Sequence, residues 1–198
     1  VDARRDVPVP SEPTMTAAAP DLLLVYESVD GHTAAVAERI ADRLRAGGAQ
    51  VTVTTTGEAP APVGVDAVVL GDPIHAGQHT HHLTEYLTTH AAALTAVPTA
   101  LFQVCLTSAD DDPEHVATAA GYLDDLTAAT GLQPALTASF AGALPYTRYG
   151  RLKRALMKRI AAKGGLATDV SRDHVLTDWA AVDRFAADVL GLVTGAEV

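Results

Sequence analysis

The chain has 198 residues, 24 acidic against 14 basic side chains, and a formal net charge of −10. That length suits one domain able to bury a core without disulfides or metal, and a hydrophobic fraction of 48% excludes a wholly disordered chain. The lone Cys105 excludes a disulfide scaffold and fits a reducing, cytoplasmic compartment, while net acidity argues against wholesale nucleic-acid binding.

The first 20 residues show no period, are punctuated by Pro8, Pro10, Pro13 and Pro20, and read as a flexible tail without the apolar run of a signal peptide. A single domain is expected over residues 21–198. Leu22 to Tyr26 is a short apolar run, hence a strand buried on both faces. Glu27 to Thr33 is a turn, and Val36, Ala37, Ile40, Ala41 and Leu44 form a helical stripe ended by Gly47 and Gly48. Gln50 to Thr55 alternates as a strand. The Pro-rich loop Glu58 to Gly64 stands where a crossover helix is expected. Asp66 to Leu70 is a strand, Gly71 to Gly77 a loop, and His79 to Leu94 a helix. Thr99 to Leu106 is a strand, Pro113 to Thr130 a helix closed by Gly131, and Leu136 to Ala141 a strand. Tyr149 to Lys163 is a basic amphipathic helix and His174 to Leu176 a short strand. The last helix carries Trp179, Val182, Phe185 and Val189 on one face, with Thr177 or Asp178 as N-cap. No apolar run reaches the roughly 18 residues of a membrane span. The alternation predicts a doubly wound α/β fold, a five-stranded parallel sheet with a basic helical insertion, about 143–172, after the fifth strand.

Charge is uneven along the chain. No Asp or Glu occurs from Leu126 to Thr168, a stretch holding Arg148, Arg151, Lys153, Arg154, Lys158, Arg159 and Lys163. The rest keeps 7 basic against 24 acidic residues, a net −17. A +7 block on an acidic body calls for its own explanation.

The main chemical signal is Ser28-Val29-Asp30-Gly31-His32-Thr33, between the first buried strand and the first helix. An anion there would meet backbone N–H groups at a positive helix end, with hydroxyls from Ser28 and Thr33. Neither GxGxxG nor GxxxxGK[ST] is present, and the loop has no Lys, so a monophosphate such as that of FMN fits better than a triphosphate. A plain β–α turn with ordinary capping residues is the competing reading. Ligands of open sheets bind beyond the carboxyl ends of the strands, so the loops Gly71 to His79 and Leu106 to Asp112 should converge on the same place.

Ser28 to Thr33 and the following helix resemble the FMN phosphate loop of flavodoxins. Ala141-Gly142-Ala143-Leu144-Pro145-Tyr146-Thr147-Arg148-Tyr149 resembles a hallmark of the quinone-dependent protoporphyrinogen oxidase family, as do Leu156-Met157-Lys158, Gly164-Gly165, Ala167-Thr168-Asp169 and Thr177-Asp178-Trp179. The resemblance covers about residues 22–193. It implies an FMN-binding flavodoxin-like domain that oxidises protoporphyrinogen or a related reduced substrate and passes electrons to a quinone. It also implies FMN contacts at Ser28, Asp30, Gly31, His32 and Thr33 for the phosphate, with Pro73, Ile74, His75, Ala76 and Gly77 and Leu106, Thr107, Ser108 and Ala109 flanking the ring. In the second loop His75-Ala76 stands where the family often has a cation and a large aromatic, and Asp110 to Asp112 makes the third loop acidic.

His75 and Tyr146 are the candidate catalytic residues, His75 for substrate positioning or proton transfer and Tyr146, with Tyr149, for substrate or ring contact. Arg148, Arg151, Lys153, Arg154, Lys158 and Arg159 are assigned to an anionic substrate or to an anionic membrane surface reached through 149–163. The competing view has that helix packed on the domain with its cations paired to the acidic body. His75, His79, His81 and His82 match no metal spacing, and no metal is expected. Cys105 reads as a small core residue and Trp179 as core. Beside the oxidoreductase stand two other functions, a flavodoxin-type electron carrier for a partner protein and a flavodoxin-like binding module without FMN. A quinone, the inner face of a membrane and a second copy of the chain remain open as partners.

Overall fold

The computed structural model describes residues 18–195, so positions 1–17 of the expected tail lie outside the described residues. Strands β1 (Asp21–Tyr26), β2 (Gln50–Thr55), β3 (Ala67–Pro73), β4 (Thr99–Cys105) and β5 (Leu136–Ala141) form one parallel sheet in the order β2-β1-β3-β4-β5. The order reverses between β1 and β3, which opens a crevice at their carboxyl ends.

Two apolar layers follow from the side-chain alternation of the buried strands. Leu22, Leu24, Val69, Phe102 and Phe140 point to the face covered by α1 (His32–Ala46) and α6 (Trp179–Thr194). Leu23, Val25, Val68, Leu70 and Leu101 point to the other face, covered by α2 (His81–Thr89), α3 (Ala91–Thr95) and α4 (Pro113–Thr130). Gly71 is required by close approach, since a Cβ there would collide with the Phe102 ring. Asp183 of α6 clamps α1, accepting from Arg39 at 2.7 Å and 2.8 Å and from Arg43 at 2.9 Å and 2.6 Å.

The connection from β2 to β3 contains no helix. Ala59 and Val65 of that coil pack on the second layer, and the Tyr86 hydroxyl donates to Pro60 O at 2.9 Å. Coil and tyrosine together cover what a crossover helix would have covered.

Four predicted elements change. The strand expected over 66–70 runs on through Gly71 and Asp72 to Pro73, taking up the start of the expected loop. The helix expected over 79–94 starts only after Thr80, whose side chain caps Leu83 N, and breaks at His90 into α2 and α3. The strand expected to Leu106 stops at Cys105 and tightens into a 3₁₀ turn over Leu106–Ala109. The basic helix α5 spans Arg151–Lys163, because the extended Gly150 turns the chain and Tyr149 is drawn inward.

The segment between β5 and α6 builds a small core of its own. Strands β6 (Ala143–Leu144) and β7 (His174–Val175) pair antiparallel, and Leu144, Tyr146, Tyr149 and Ala161 are buried with Met157, Leu166 and Leu176 around them.

Candidate functional site

The phosphate-type loop is built as its sequence suggested. Gly31 takes φ +87, a conformation glycine adopts without penalty, and so aims the chain into α1. Ser28 Oγ accepts from Ala34 N at 3.2 Å and Ala35 N bonds Gly31 O. Among the described residues the N–H groups of His32 and Thr33 have no protein acceptor. The Thr33 hydroxyl, on a residue only 3% exposed, has no partner either, and it lines the cleft beyond the strand ends. Two free amides, a free hydroxyl and a helix N-terminus form a donor set that fits a phosphate.

His32 is fixed from behind. Its Nε2 lies 2.6 Å from Thr177 Oγ1, and the Thr177 hydroxyl donates to Ala141 O at 2.6 Å. The single hydroxyl proton being committed to Ala141, His32 Nε2 must be the donor. The ring also meets Trp179 edge-on at 6.0 Å, and burial pushes its pKa down. Thr177, Asp178 and Trp179 therefore act as one device: Thr177 ties β5 to His32, Asp178 caps Ala180 N, and Trp179 packs on the imidazole.

The second loop is a hairpin-like turn. His75 and Gln78 exchange backbone bonds of 2.9 Å and 3.2 Å, with φ +52 at Ala76 and +80 at Gly77, the pattern of a type I′ turn. Behind it the fully buried Asp72 carboxylate accepts from Thr80 N and Thr80 Oγ1, both at 2.7 Å, and bonds His79 Nδ1 at 3.0 Å. The His79 side chain is thus largely buried against this carboxylate. His81 and His82 are exposed and lie 3.8 Å from Glu85 and Glu27.

The first, second and third loops converge as expected. Asp30, His32 and Thr33, then Pro73, Ile74 and His75, then Cys105 and Leu106, line one cleft. Ala76 and Gly77 form the tip of the turn, and Thr107, Ser108 and Ala109 continue the 3₁₀ turn, with Ser108 Oγ 3.1 Å from Cys105 Sγ. The remaining wall is Tyr149, Lys153 and Met157 of the insertion. The cleft is open to solvent on one side and encloses about 120 Å³, less than the 300–1,000 Å³ common for fully formed ligand pockets.

Tyr146 corrects an expectation. It is 0% exposed, and its hydroxyl donates to Ala167 O at 2.9 Å. It holds the insertion together and does not face the cleft, whereas Tyr149 does. Burial and the nearby Asp30 push the Tyr149 hydroxyl up to about 12, so it stays a neutral phenol.

The seven cations divide by task. Arg154 donates to Tyr146 O at 2.8 Å and Tyr149 O at 2.9 Å, a structural role in place of the substrate or membrane role expected for it. Lys153 Nζ pairs with Asp30 at 2.8 Å and sits 4.4 Å over the Tyr149 ring. The Arg148 guanidinium lies 3.7 Å from where a Cβ on Gly31 would stand. Arg151, Lys158, Arg159 and Lys163 are exposed. The apolar stripe of α5 faces outward beside them, with Leu152 89%, Leu156 58% and Ile160 46% exposed. Ala161 and Met157 face the domain instead.

The model of the flavodoxin domain family matches residues 23–171. A Leishmania major protein named protoporphyrinogen IX dehydrogenase [quinone] is 33% identical over 182 residues, 90% of this chain and 78% of the relative. One of the same name from Escherichia coli K12 is 30% identical over 172 residues, 86% of this chain and 94% of the relative. In fold, the chain is similar to a flavodoxin from the domain Archaea (TM-score 0.53, 16% identity, 87% of this chain and 98% of that one). It is also similar to the apo form of an NADH:FMN oxidoreductase (TM-score 0.51, 12% identity, 90% and 92%). A phosphate-type loop at the switch point, two converging loops and relatives at this identity over most of the chain lead to one conclusion: the chain belongs to the flavodoxin domain family and is a flavodoxin-like flavoprotein oxidoreductase.

Proposed function

We propose that the protein is an FMN-dependent oxidoreductase that oxidises protoporphyrinogen or a related reduced tetrapyrrole and delivers the electrons to a quinone at an anionic membrane surface. The observation that carries this reading is the closed donor set at the switch point, its Thr33 hydroxyl and two amides free, in a chain whose relatives bear that activity in their names. FMN bound there would supply the two-electron redox chemistry. The chain's own residues do the rest. His32 and Thr33 hold the phosphate end, the loops at Ile74 and Leu106 confine the ring, and Tyr149 and Met157 exclude water from one side. His75 is exposed at the rim and lines the cleft, where it can meet substrate.

The outward ridge of α5 supports the membrane part. Leu152, Leu156 and Ile160 recur every four residues on one exposed face, and the adjacent faces carry Arg151, Lys158, Arg159 and Lys163. Such a helix lies in the interfacial plane, and each cation near an anionic surface contributes about 1 kcal/mol. Among the described residues no helix is long and apolar enough to cross a membrane.

The test is an absorbance spectrum of the purified protein followed by anaerobic assay with protoporphyrinogen IX and a quinone. Bound FMN with porphyrin formation dependent on quinone is the expected result. A protein that takes up no added FMN overturns the proposal. One that binds FMN but only exchanges electrons with a reductase is a carrier.

A further inference from the structure

We propose that Arg148 and Lys153, both supplied by the insertion, form the cationic half of the cofactor's phosphate site, so that phosphate binding latches the insertion onto the β1–α1 loop. The inference rests on the FMN reading above.

The loop itself is electrostatically incomplete. Glu27 to Thr33 contains no Lys or Arg and does contain Asp30, on the same side as the free donors. A phosphate dianion held by amides and one hydroxyl alone would face that carboxylate uncompensated. The structure brings two cations to this spot from more than a hundred residues away in sequence. Lys153 Nζ reaches both Asp30 oxygens, at 2.8 Å and 3.1 Å, and the Tyr149 ring beneath it steadies the ammonium. Arg148 stands against the Gly31 backbone and, among the described residues, has no carboxylate within ion-pair distance. Its backbone is held by a turn, Arg148 N bonding Pro145 O at 3.0 Å. The Arg148 charge helps hold the Asp173 carboxyl below its usual range, but that carboxylate accepts from Thr147 N and Oγ1; a guanidinium without a direct ion pair, at a loop with free N–H and O–H donors, suits a phosphate, which accepts such donors in parallel.

Asp30 changes role in this arrangement. It is a phosphate ligand in the sequence-based expectation, yet two carboxylate oxygens cannot donate to a phosphate. They hold Lys153 at the loop, and a bound phosphate shares that ammonium with them. Because one ligand then touches both the loop and the insertion, its binding favours the closed insertion by linkage.

The experiment compares FMN with riboflavin, which lacks only the phosphate, by fluorescence titration of the full chain stripped of flavin. Arg148→Gln and Lys153→Met should each weaken FMN by about tenfold while leaving riboflavin within about twofold, and Lys153→Arg should restore the preference. Asp30→Asn should bind FMN at least as tightly as the parent. Hydrogen exchange in α5 should slow with FMN and not with riboflavin. Equal losses for both flavins, or none for FMN, overturn the inference. A parent chain that binds neither flavin overturns the function proposed above, a result the variants cannot mimic.

Discussion

At the residue scale, Thr177 is the side chain whose importance is least visible in composition. It donates to Ala141 O and accepts from His32, both at 2.6 Å, on a residue 8% exposed. Thr177→Val keeps the shape and strands a carbonyl and an imidazole N–H. It should cost about 1–3 kcal/mol in chemical denaturation and weaken FMN through the displaced His32. His32 also sets a pH dependence. Burial pushes its pKa below the ordinary value near 6.5, so as pH falls through that value the unfolded chain takes up the proton first and stability drops. Full stabilisation is present above that value and is lost going down from it. His32→Gln, which keeps an N–H for Thr177, should flatten the decline relative to the parent between about pH 7 and pH 5. Half-buried His115, whose pKa is raised by its bond to Asp110, contributes the opposite slope in both proteins and cancels in the comparison.

At the scale of elements, α1 and α6 meet through Asp183 between two guanidinium groups, which hold its carboxyl well below the usual carboxylate range. Its contribution is present above the unfolded carboxylate value, near 3.9, and is lost as pH falls through the folded one. Asp183→Asn should therefore lower the denaturation midpoint at pH 7, with the gap to the parent narrowing in strong acid. Helix α5 makes the converse point. Its apolar stripe at Leu152, Leu156 and Ile160 is exposed, so Leu152→Ser with Leu156→Ser should leave the midpoint unchanged and reduce binding to anionic vesicles in a flotation assay. A large fall in stability would show that the stripe is core after all.

For the whole molecule, the −10 charge resolves into a −17 body and a +7 insertion. An anionic surface would repel the first and attract the second, so the proposed membrane approach would be oriented with α5 leading. Vesicle binding should fall as salt shortens the Debye length from about 30 Å at 0.01 M to about 10 Å at 0.1 M. The binding that survives salt should be the part removed by the two Leu→Ser changes. A salt-independent interaction would exclude the oriented electrostatic approach.

Much of the fold was legible because local rules suffice for it. The strand Gln50–Thr55, the helix Pro113–Thr130 with its Gly131 stop, and the strand Leu136–Ala141 fall where alternation, a proline at the first turn and a left-handed glycine place them. The break at His90 was not legible, because no Gly or Pro marks it and the apolar pattern Leu83, Tyr86, Leu87 and Leu94 runs straight across. Of the candidate site, the sequence alone placed the Ser28–Thr33 turn and the loops that line one cleft with it, since a strand, a glycine turn and a helix N-terminus are contiguous. Which cations lie against that loop and which face outward was decided only by the tertiary structure. Residues 148 to 163 form one basic run in the sequence, and the small core around Tyr146 and Ala161 sets the rotation of α5. That rotation sends Lys153 to Asp30, Arg154 to backbone carbonyls, and Leu152, Leu156 and Ile160 to the outside.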